Sequence, residues 1–422
     1  MGEFHSDKKS DFIRLSSAFI SVKCRFYDYR FQATKGHTDA DGRMKKILII
    51  AGEASGDLHG SNLVKAMKSQ DPTLIFYGVG SRNMRAAGVT MLADASEISV
   101  VGATEVLTHI GAICRVYTKL KQFLREERPD LLILIDFPDF NIFTGKAAKQ
   151  LGIPILYYIS PQVWAWRKGR INTLAKLVTA IMVVFPFEVD LYRNAGVDVR
   201  FVGHPLADVV MSAYTREESR DVLGIARDRR TVALLPGSRT NEIMHLLPDM
   251  LKAATILLDR FPDVQFVLPV APTLPHDLVE RYVSESGVPV RIIDGKVYDV
   301  LRASDAAIVT SGTATLETGL MAVPMVIVYR ISRISYLIGR LFIRVKHIGL
   351  VNIVAGRTVV PELIQDDVTP EHIASAIGTF LADQDKRREV EHDLRQVRAL
   401  LGEGGASSRA ASVARELLER AA

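Results

Sequence analysis

Asp130-Leu131-Leu132-Ile133-Leu134-Ile135-Asp136-Phe137-Pro138-Asp139-Phe140 runs from a turn, through an unbroken aliphatic stretch, into a second turn. An apolar run without alternation suits a strand buried on both faces, as in a parallel sheet covered by helices. This makes it a central strand. Parallel α/β sheets present functional groups just beyond the carboxyl ends of their strands, so a carboxylate placed where the run stops is aimed at a crevice. Asp136 is that carboxylate. An aspartate before Pro138 equally suits a plain turn, and the stretch alone leaves both readings open.

The same rhythm extends in both directions. Ile47 to Ala51, Leu74 to Val79, Ile155 to Ile159 and Ile181 to Phe185 are short β-rich runs separated by helix-like segments, the βαβ pattern of a doubly wound sheet. The pattern pauses at Gly203-His204-Pro205-Leu206 and a charged stretch from Thr215 to Arg230. It restarts with Thr231 to Leu235, Val264 to Leu268, Val290 to Ile293, Ala306 to Thr310 and Met325 to Val328. An α/β fold of two Rossmann-like domains facing a cleft is expected, and such a cleft is a favoured place for a ligand. The expected divisions are an extension over residues 1–43, domains over 44–208 and 209–385, and C-terminal helices over 386–422. Thr369-Pro370-Glu371 supplies a cap, a proline at the first helical position and an early acid, while Gly402 and Gly404-Gly405 punctuate the last two helices.

A chain of 422 residues with 48% hydrophobic and 24% charged residues has ordinary globular composition and is long enough for two cores. A formal charge of +5 is a small excess, so nucleic acid is not expected among the partners, while an anionic substrate or membrane surface is compatible. Cys24 and Cys114 build neither a disulfide framework nor a zinc site, and a reducing cytoplasm fits. No apolar window is long enough to span a bilayer, so membrane association is expected to be peripheral. Residues 1–43 lack the pattern of a signal peptide and read as an appended extension; Asp39-Ala40-Asp41 within it reads as a chance string rather than a metal motif.

Four loops carry polar chemistry. Leu235-Pro236-Gly237-Ser238-Arg239 follows a strand, so glycine lets the backbone approach a ligand, arginine grips phosphate oxygens, and helix amides beyond favour an anion. Thr310-Ser311-Gly312-Thr313-Ala314-Thr315-Leu316-Glu317 opens a helix with hydroxyls and free amides, and Glu317 is placed to accept two hydrogen bonds from a ribose diol. Ala51-Gly52-Glu53-Ala54-Ser55-Gly56-Asp57 has neither dinucleotide glycine spacing nor a Walker lysine. Ser160-Pro161-Gln162-Val163-Trp164-Ala165-Trp166-Arg167 holds both tryptophans of the chain, suited to a sugar face or a lipid headgroup. Each loop also fits an ordinary strand-to-helix connection, and the tryptophans also fit a core.

Taken in order, these four loops with Ile135-Asp136-Phe137-Pro138-Asp139-Phe140-Asn141 and Leu350-Val351-Asn352 resemble the lipid-A-disaccharide synthase family over roughly residues 44 to 420. The resemblance implies a GT-B fold and an inverting transfer of diacylglucosamine from its UDP conjugate to the 6-hydroxyl of 2,3-diacylglucosamine 1-phosphate. It implies that 44–208 is the acceptor-side domain and 209–385 the UDP-sugar domain. Asp136 then matches the catalytic aspartate. Gly237, Ser238, Arg239, Ser311, Gly312, Thr313, Ala314, Glu317 and Asn352 fall to the donor, and Glu53, Ser55, Gly56, Asp57, Trp164 and Trp166 to the acceptor side. Val351 departs from the proline usual there.

The chemistry of the residues agrees. Inversion sets a base against phosphate grips across the reacting carbon, and no metal or other cofactor is demanded if arginine and helix amides serve the leaving group. A binding module that uses the same scaffold has no need of Asp136. Within enzymes, the alternatives are a GT-B transferase of undecaprenyl-linked precursors and a UDP-sugar epimerase. Acylated substrates imply contact with the cytoplasmic face of the inner membrane, for which Val100 to Leu124 and the Arg333, Arg340 and Arg344 stripe of Ile331 to Val345 are the candidates.

Overall fold

The computed structural model describes residues 44–98, 103–161, 170–331, 346–402 and 404–420. They form two compact α/β units. The first runs to Val202 and is rejoined by the chain from Gly405 onward; the second is Gly203–Gly404.

In chain order, the first unit has β1 (Lys46–Ala51), α1 (Ala54–Gln70), β2 (Ile75–Gly80), α2 (Arg82–Ala86), β3 (Thr90–Asp94), α3 (Ala103–Glu126) and β4 (Leu131–Ile135). There follow α4 (Pro138–Gln150), β5 (Ile155–Tyr158), α5 (Arg170–Leu177), β6 (Ala180–Val183), α6 (Phe187–Arg193) and β7 (Val199–Phe201). The strands make one parallel sheet in the order β3-β2-β1-β4-β5-β6-β7. Leu131 to Ile135 are all 0% exposed, which is why β4 is aliphatic throughout rather than alternating. Leu48, Ile50, Leu132, Leu134, Tyr157 and Ile181 share one core with Val116, Leu120 and Phe123 of α3. The lower part of the Val100 to Leu124 run therefore packs inward, while residues 99–102 lie outside the described residues.

The second unit contains α7 (Leu206–Val209), α8 (Arg216–Leu223), β8 (Arg230–Leu235), α9 (Thr240–Arg260), β9 (Val264–Val270), α10 (His276–Ser286), β10 (Val290–Asp294) and α11 (Val297–Ala303). It continues with β11 (Ala306–Thr310), α12 (Thr313–Leu320), β12 (Met325–Tyr329), α13 (Leu350–Ala355), β13 (Glu362–Ile364), α14 (Pro370–Ala382) and α15 (Gln384–Leu401). Its sheet is also parallel, ordered β10-β9-β8-β11-β12-β13. Asp305, before β11, ties the periphery together: it accepts from the Thr231 amide (2.9 Å), Arg220 (3.0 Å) and Arg387 (3.1 Å) and also pairs with Arg216.

The helical tail expected over 386–422 divides. α15 stays with the second unit. The final helix, α16 (Ala406–Arg420), packs on α1 of the first, with Ala410, Ala411 and Ala414 fully buried and Lys45 Nζ donating to the Leu418 carbonyl at 2.8 Å. The Thr369 cap forms as read, accepting from the His372 amide at 3.2 Å. Among the described residues no helix is long and apolar enough to cross a membrane.

Candidate active site

In the first sheet the strand order reverses between β1 and β4, the switch point where α/β sheets hold ligands. The register sets Ala51 opposite Ile135 and Ile135 opposite Tyr158, so the three strands end level and their loops emerge side by side. Asp136 leaves β4 with φ +42°, and Phe137 follows with φ +44°. Two successive non-glycine residues in the left-handed region form a strained elbow, of the kind that persists where its surroundings over-determine it.

Those surroundings are explicit. Asn141 Nδ2 donates to the carbonyls of Ile135 (3.1 Å) and Asp136 (2.7 Å), and the Tyr157 hydroxyl donates to the same Asp136 carbonyl. The Phe137 ring lies against Gly52, where an added Cβ would sit 2.4 Å from ring carbons, so only glycine fits there. Burial pushes the Asp136 carboxyl up from 3.8 to about 6, with the charge of Glu53 as the next cause and a hydrogen bond from the Phe137 amide opposing. It is mostly ionised at neutral pH and still basic enough to take a proton, the poise a general base needs. Burial raises the Tyr157 hydroxyl well above its ordinary range, so it keeps its proton and donates it to the Asp136 carbonyl.

Glu53 is exposed and its charge acts on Asp136, Ser55 is exposed in the first turn of α1, and Gly56 is buried against Ala51 and Ile135. Asp57 does not belong with them. Its carboxylate is 2% exposed and accepts from the amides of Ser81 (2.6 Å), Asn83 (2.9 Å) and Met84 (3.1 Å). A buried carboxylate needs such donors, and these belong to the start of α2, so Asp57 fastens α1 to the β2–α2 turn instead of reaching an acceptor. Trp164 and Trp166 lie outside the described residues.

Neighbouring features not anticipated from sequence complete this edge. Ser160 Oγ donates to Glu188 Oε1 at 2.9 Å and lies 2.9 Å from the Tyr192 hydroxyl, while the Phe185 amide donates to Glu188 Oε2 at 3.2 Å. This buried group joins the ends of β5 and β6. Arg170 pairs with Asp139, linking the starts of α5 and α4. A cavity of about 520 Å³ opens at the opposite, amino-terminal edge of the sheet, beside Lys45, Asp130, Pro154, Thr179 and Asp198. It lies away from these loops.

In the second unit the order reverses between β8 and β11, and the two expected donor loops leave these strands. Gly237, at φ +114°, makes the first turn; a Cβ there would strike Glu242 Oε2 at 2.2 Å. That oxygen accepts from the amides of Ser238 (2.9 Å) and Arg239 (3.2 Å), so the cradle expected to be open to an anion is filled by Glu242 of α9. The Arg239 side chain is 75% exposed and its Nη1 is 3.5 Å from Glu242 Oε1. Tyr329, at the end of β12, is raised by burial and then by Glu242, with Arg239 opposing.

The second loop stays accessible at its tip. Gly312 and Thr313 are exposed, and Gly312 has φ +153°. Ser311 Oγ donates to the Ile348 carbonyl at 3.1 Å, and Ala314 is half-buried behind it. Glu317 is half-buried, raised by that burial, and receives the Tyr298 hydroxyl at 2.9 Å, a contact that opposes the rise. Asn352 departs from expectation. It is 0% exposed; its Nδ2 donates to the Val360 carbonyl and Glu362, both at 2.8 Å, and its Oδ1 accepts from the amides of Val359 (2.8 Å) and Val360 (3.1 Å). All its bonding capacity is used in shaping the approach to β13, which leaves none for a donor. Residues 332–345, with the arginine stripe, lie outside the described residues.

Residues 47–417 match the family described as Lipid-A-disaccharide synthetase. The chain is 51% identical over 374 residues to the lipid-A-disaccharide synthase of Geobacter metallireducens, covering 89% of this chain and 97% of that one. To that of Myxococcus xanthus it is 46% identical over 373 residues, 88% and 97% of the two chains. Among solved structures, a UDP-GlcNAc 2-epimerase from Neisseria meningitidis bound to UDP-GlcNAc matches with a TM-score of 0.60 at 12% identity, over 88% of this chain and 100% of that one. Acinetobacter baumannii MurG matches with a TM-score of 0.56 at 14% identity, over 88% and 99%. At such identities the structural likenesses speak to the fold alone, and it is the two-unit α/β fold expected.

Proposed function

The chain belongs to the lipid-A-disaccharide synthase family and is a glycosyltransferase of lipid A biosynthesis; from that premise we propose that Asp136 is the general base of the transfer. The donor is UDP-2,3-diacylglucosamine and the acceptor 2,3-diacylglucosamine 1-phosphate. Asp136 takes the proton of the acceptor 6-hydroxyl. That oxygen bonds to the anomeric carbon of the donor as the bond from this carbon to the β-phosphate oxygen breaks. Attack opposite the leaving group inverts the carbon, gives the β-1′,6 linkage, and releases UDP with the bonding electrons.

The first unit takes the acceptor, with Glu53 and Ser55 on the acceptor side. The second takes the donor: Arg239 and the Gly312–Thr313 amides meet the diphosphate, and Glu317 meets the ribose diol. The observation that carries the assignment is the elbow, which sets a half-buried carboxyl with a pKa of about 6 at the switch point of the first sheet. Because both substrates carry acyl chains, the enzyme works at the cytoplasmic surface of the inner membrane. Vesicle binding that weakens with salt would support that placement, and no binding to anionic vesicles would reject it.

The assay is direct. The purified chain, given the two glycolipids, releases UDP together with a tetra-acylated disaccharide phosphate, and Asp136→Ala lowers turnover by at least about a hundredfold. Near-normal turnover by that variant would remove Asp136 from the chemistry.

A further inference from the structure

Resting on the reading of Asp136 as base, we infer that Asn141 and Tyr157 are positioning residues that aim its carboxylate by pinning the elbow. In this assignment neither touches a substrate. Their partners are main-chain carbonyls, and the consequence passes through the backbone to the side chain that reacts.

Asn141 faces two acceptors at once, the carbonyls of Ile135 at 3.1 Å and Asp136 at 2.7 Å, so the group turned toward them is the NH2. The Tyr157 hydroxyl gives its proton to the same Asp136 carbonyl. One carbonyl thus receives side-chain donors from two elements, α4 and β5. The peptide plane between Asp136 and Phe137 is held by two donors, and the direction in which the Asp136 side chain leaves the backbone follows from it. Both anchors are completely buried, so water does not compete for these bonds. Asn141 Oδ1 finds no hydrogen-bond partner among the described residues, so the side chain satisfies the carbonyls at the expense of its own oxygen. The titratable groups acting on the pair are the Asp136 carboxylate itself, Tyr192 of α6 and Arg170 at the start of α5, all felt by Tyr157, while Glu53 acts on the carboxylate from the β1–α1 loop.

The test measures kcat, the KM of both substrates, and the kcat–pH profile for Tyr157→Phe, Asn141→Ala and Asp136→Asn in the full chain. Tyr157→Phe keeps the ring and removes one hydroxyl, so it decides the matter if Asn141→Ala fails to fold. The expected result is a roughly tenfold or greater fall in kcat at neutral pH, since misplacement of a reacting group by about 1 Å can cost on the order of a hundredfold. The KM for the UDP-sugar stays unchanged. The acidic limb moves down from near pH 6 toward the ordinary carboxylate range, because a released carboxylate regains water. A fall in kcat with an unmoved limb would make both residues mere scaffold and overturn the inference, as would parent-like kcat in a folded Tyr157→Phe. Asp136→Asn separates the two levels. Parent-like turnover there rejects the base itself, whereas an inactive Asp136→Asn beside a parent-like Tyr157→Phe rejects only the positioning.

Discussion

Replacing Asp136 with asparagine should make the protein more stable while abolishing its turnover. The carboxyl has a folded pKa of about 6 against 3.8 for an ordinary aspartate, so the folded state holds the proton more tightly. Wherever the folded state binds more protons than the unfolded one, stability falls as pH rises. The group's favourable contribution is therefore complete below about pH 4 and is lost as pH climbs through about 6. A difference of about two pH units corresponds to about 3 kcal/mol, at 1.36 kcal/mol each, carried above pH 7 as the cost of an ionised group in a half-buried elbow. Asparagine keeps the shape, tolerates the left-handed backbone and carries no charge. At about 2–4 °C per kcal/mol for a domain of this size, Asp136→Asn should raise the melting temperature near pH 8 by roughly 5–10 °C and change it little near pH 4. Thermal unfolding of the two proteins at both pH values is the measurement. An equal gain at both would trace the effect to packing rather than charge, and no gain at pH 8 would refute the buried-carboxylate argument.

Three further outcomes follow from the same geometry. Glu53→Gln should shift the acidic limb of kcat downward, because the Glu53 charge is the second cause of the raised Asp136 pKa; an unmoved limb would uncouple the two carboxylates. Asp57→Ala should destabilise the fold by about 2–4 kcal/mol in a denaturant titration, since amides at the start of α2 lose a charged acceptor. If stability held and the acceptor KM rose instead, Asp57 would be a ligand contact after all. Glu242→Gln should tighten UDP binding several-fold by calorimetry, because a negative charge no longer occupies the Ser238 and Arg239 amides beside Arg239; unchanged or weaker binding would show that the diphosphate does not compete for that place.

Strands buried on both faces were legible because burial writes itself as aliphatic runs: β4, β8, β11 and β12 stand within a residue of their expected bounds. The edge strands β3, β7 and β13 were not, whereas the edge strand β10 stands within a residue of its expected Val290 to Ile293. β13 is Glu362-Leu363-Ile364, and its glutamate is spent on the amides of Ile348 and Gly349, so neither length nor alternation marks it. The carboxylate at the end of the aliphatic run, Asp136, stands where β4 ends and the backbone turns through positive φ. Sequence does not separate carboxylates and amides that face a ligand from those that face the backbone, and Asp57 and Asn352, expected on the acceptor and donor sides, are bonded chiefly to main-chain groups. Their partners are main-chain groups brought close by the fold, and such groups have no residue code. Asn141 and Tyr157 escaped notice for the same reason. Glu242 was within reach, since an acid three residues after a helix cap is the spacing of a reciprocal capping pair.

The return of α16 to the first unit sets an order of events during synthesis. The ribosome completes β1 to β7 first and the whole second unit next, and only then supplies the helix that covers α1. Until α16 emerges, the nascent first unit carries an open apolar flank, and a premature stop before Ala406 would leave that flank uncovered for good.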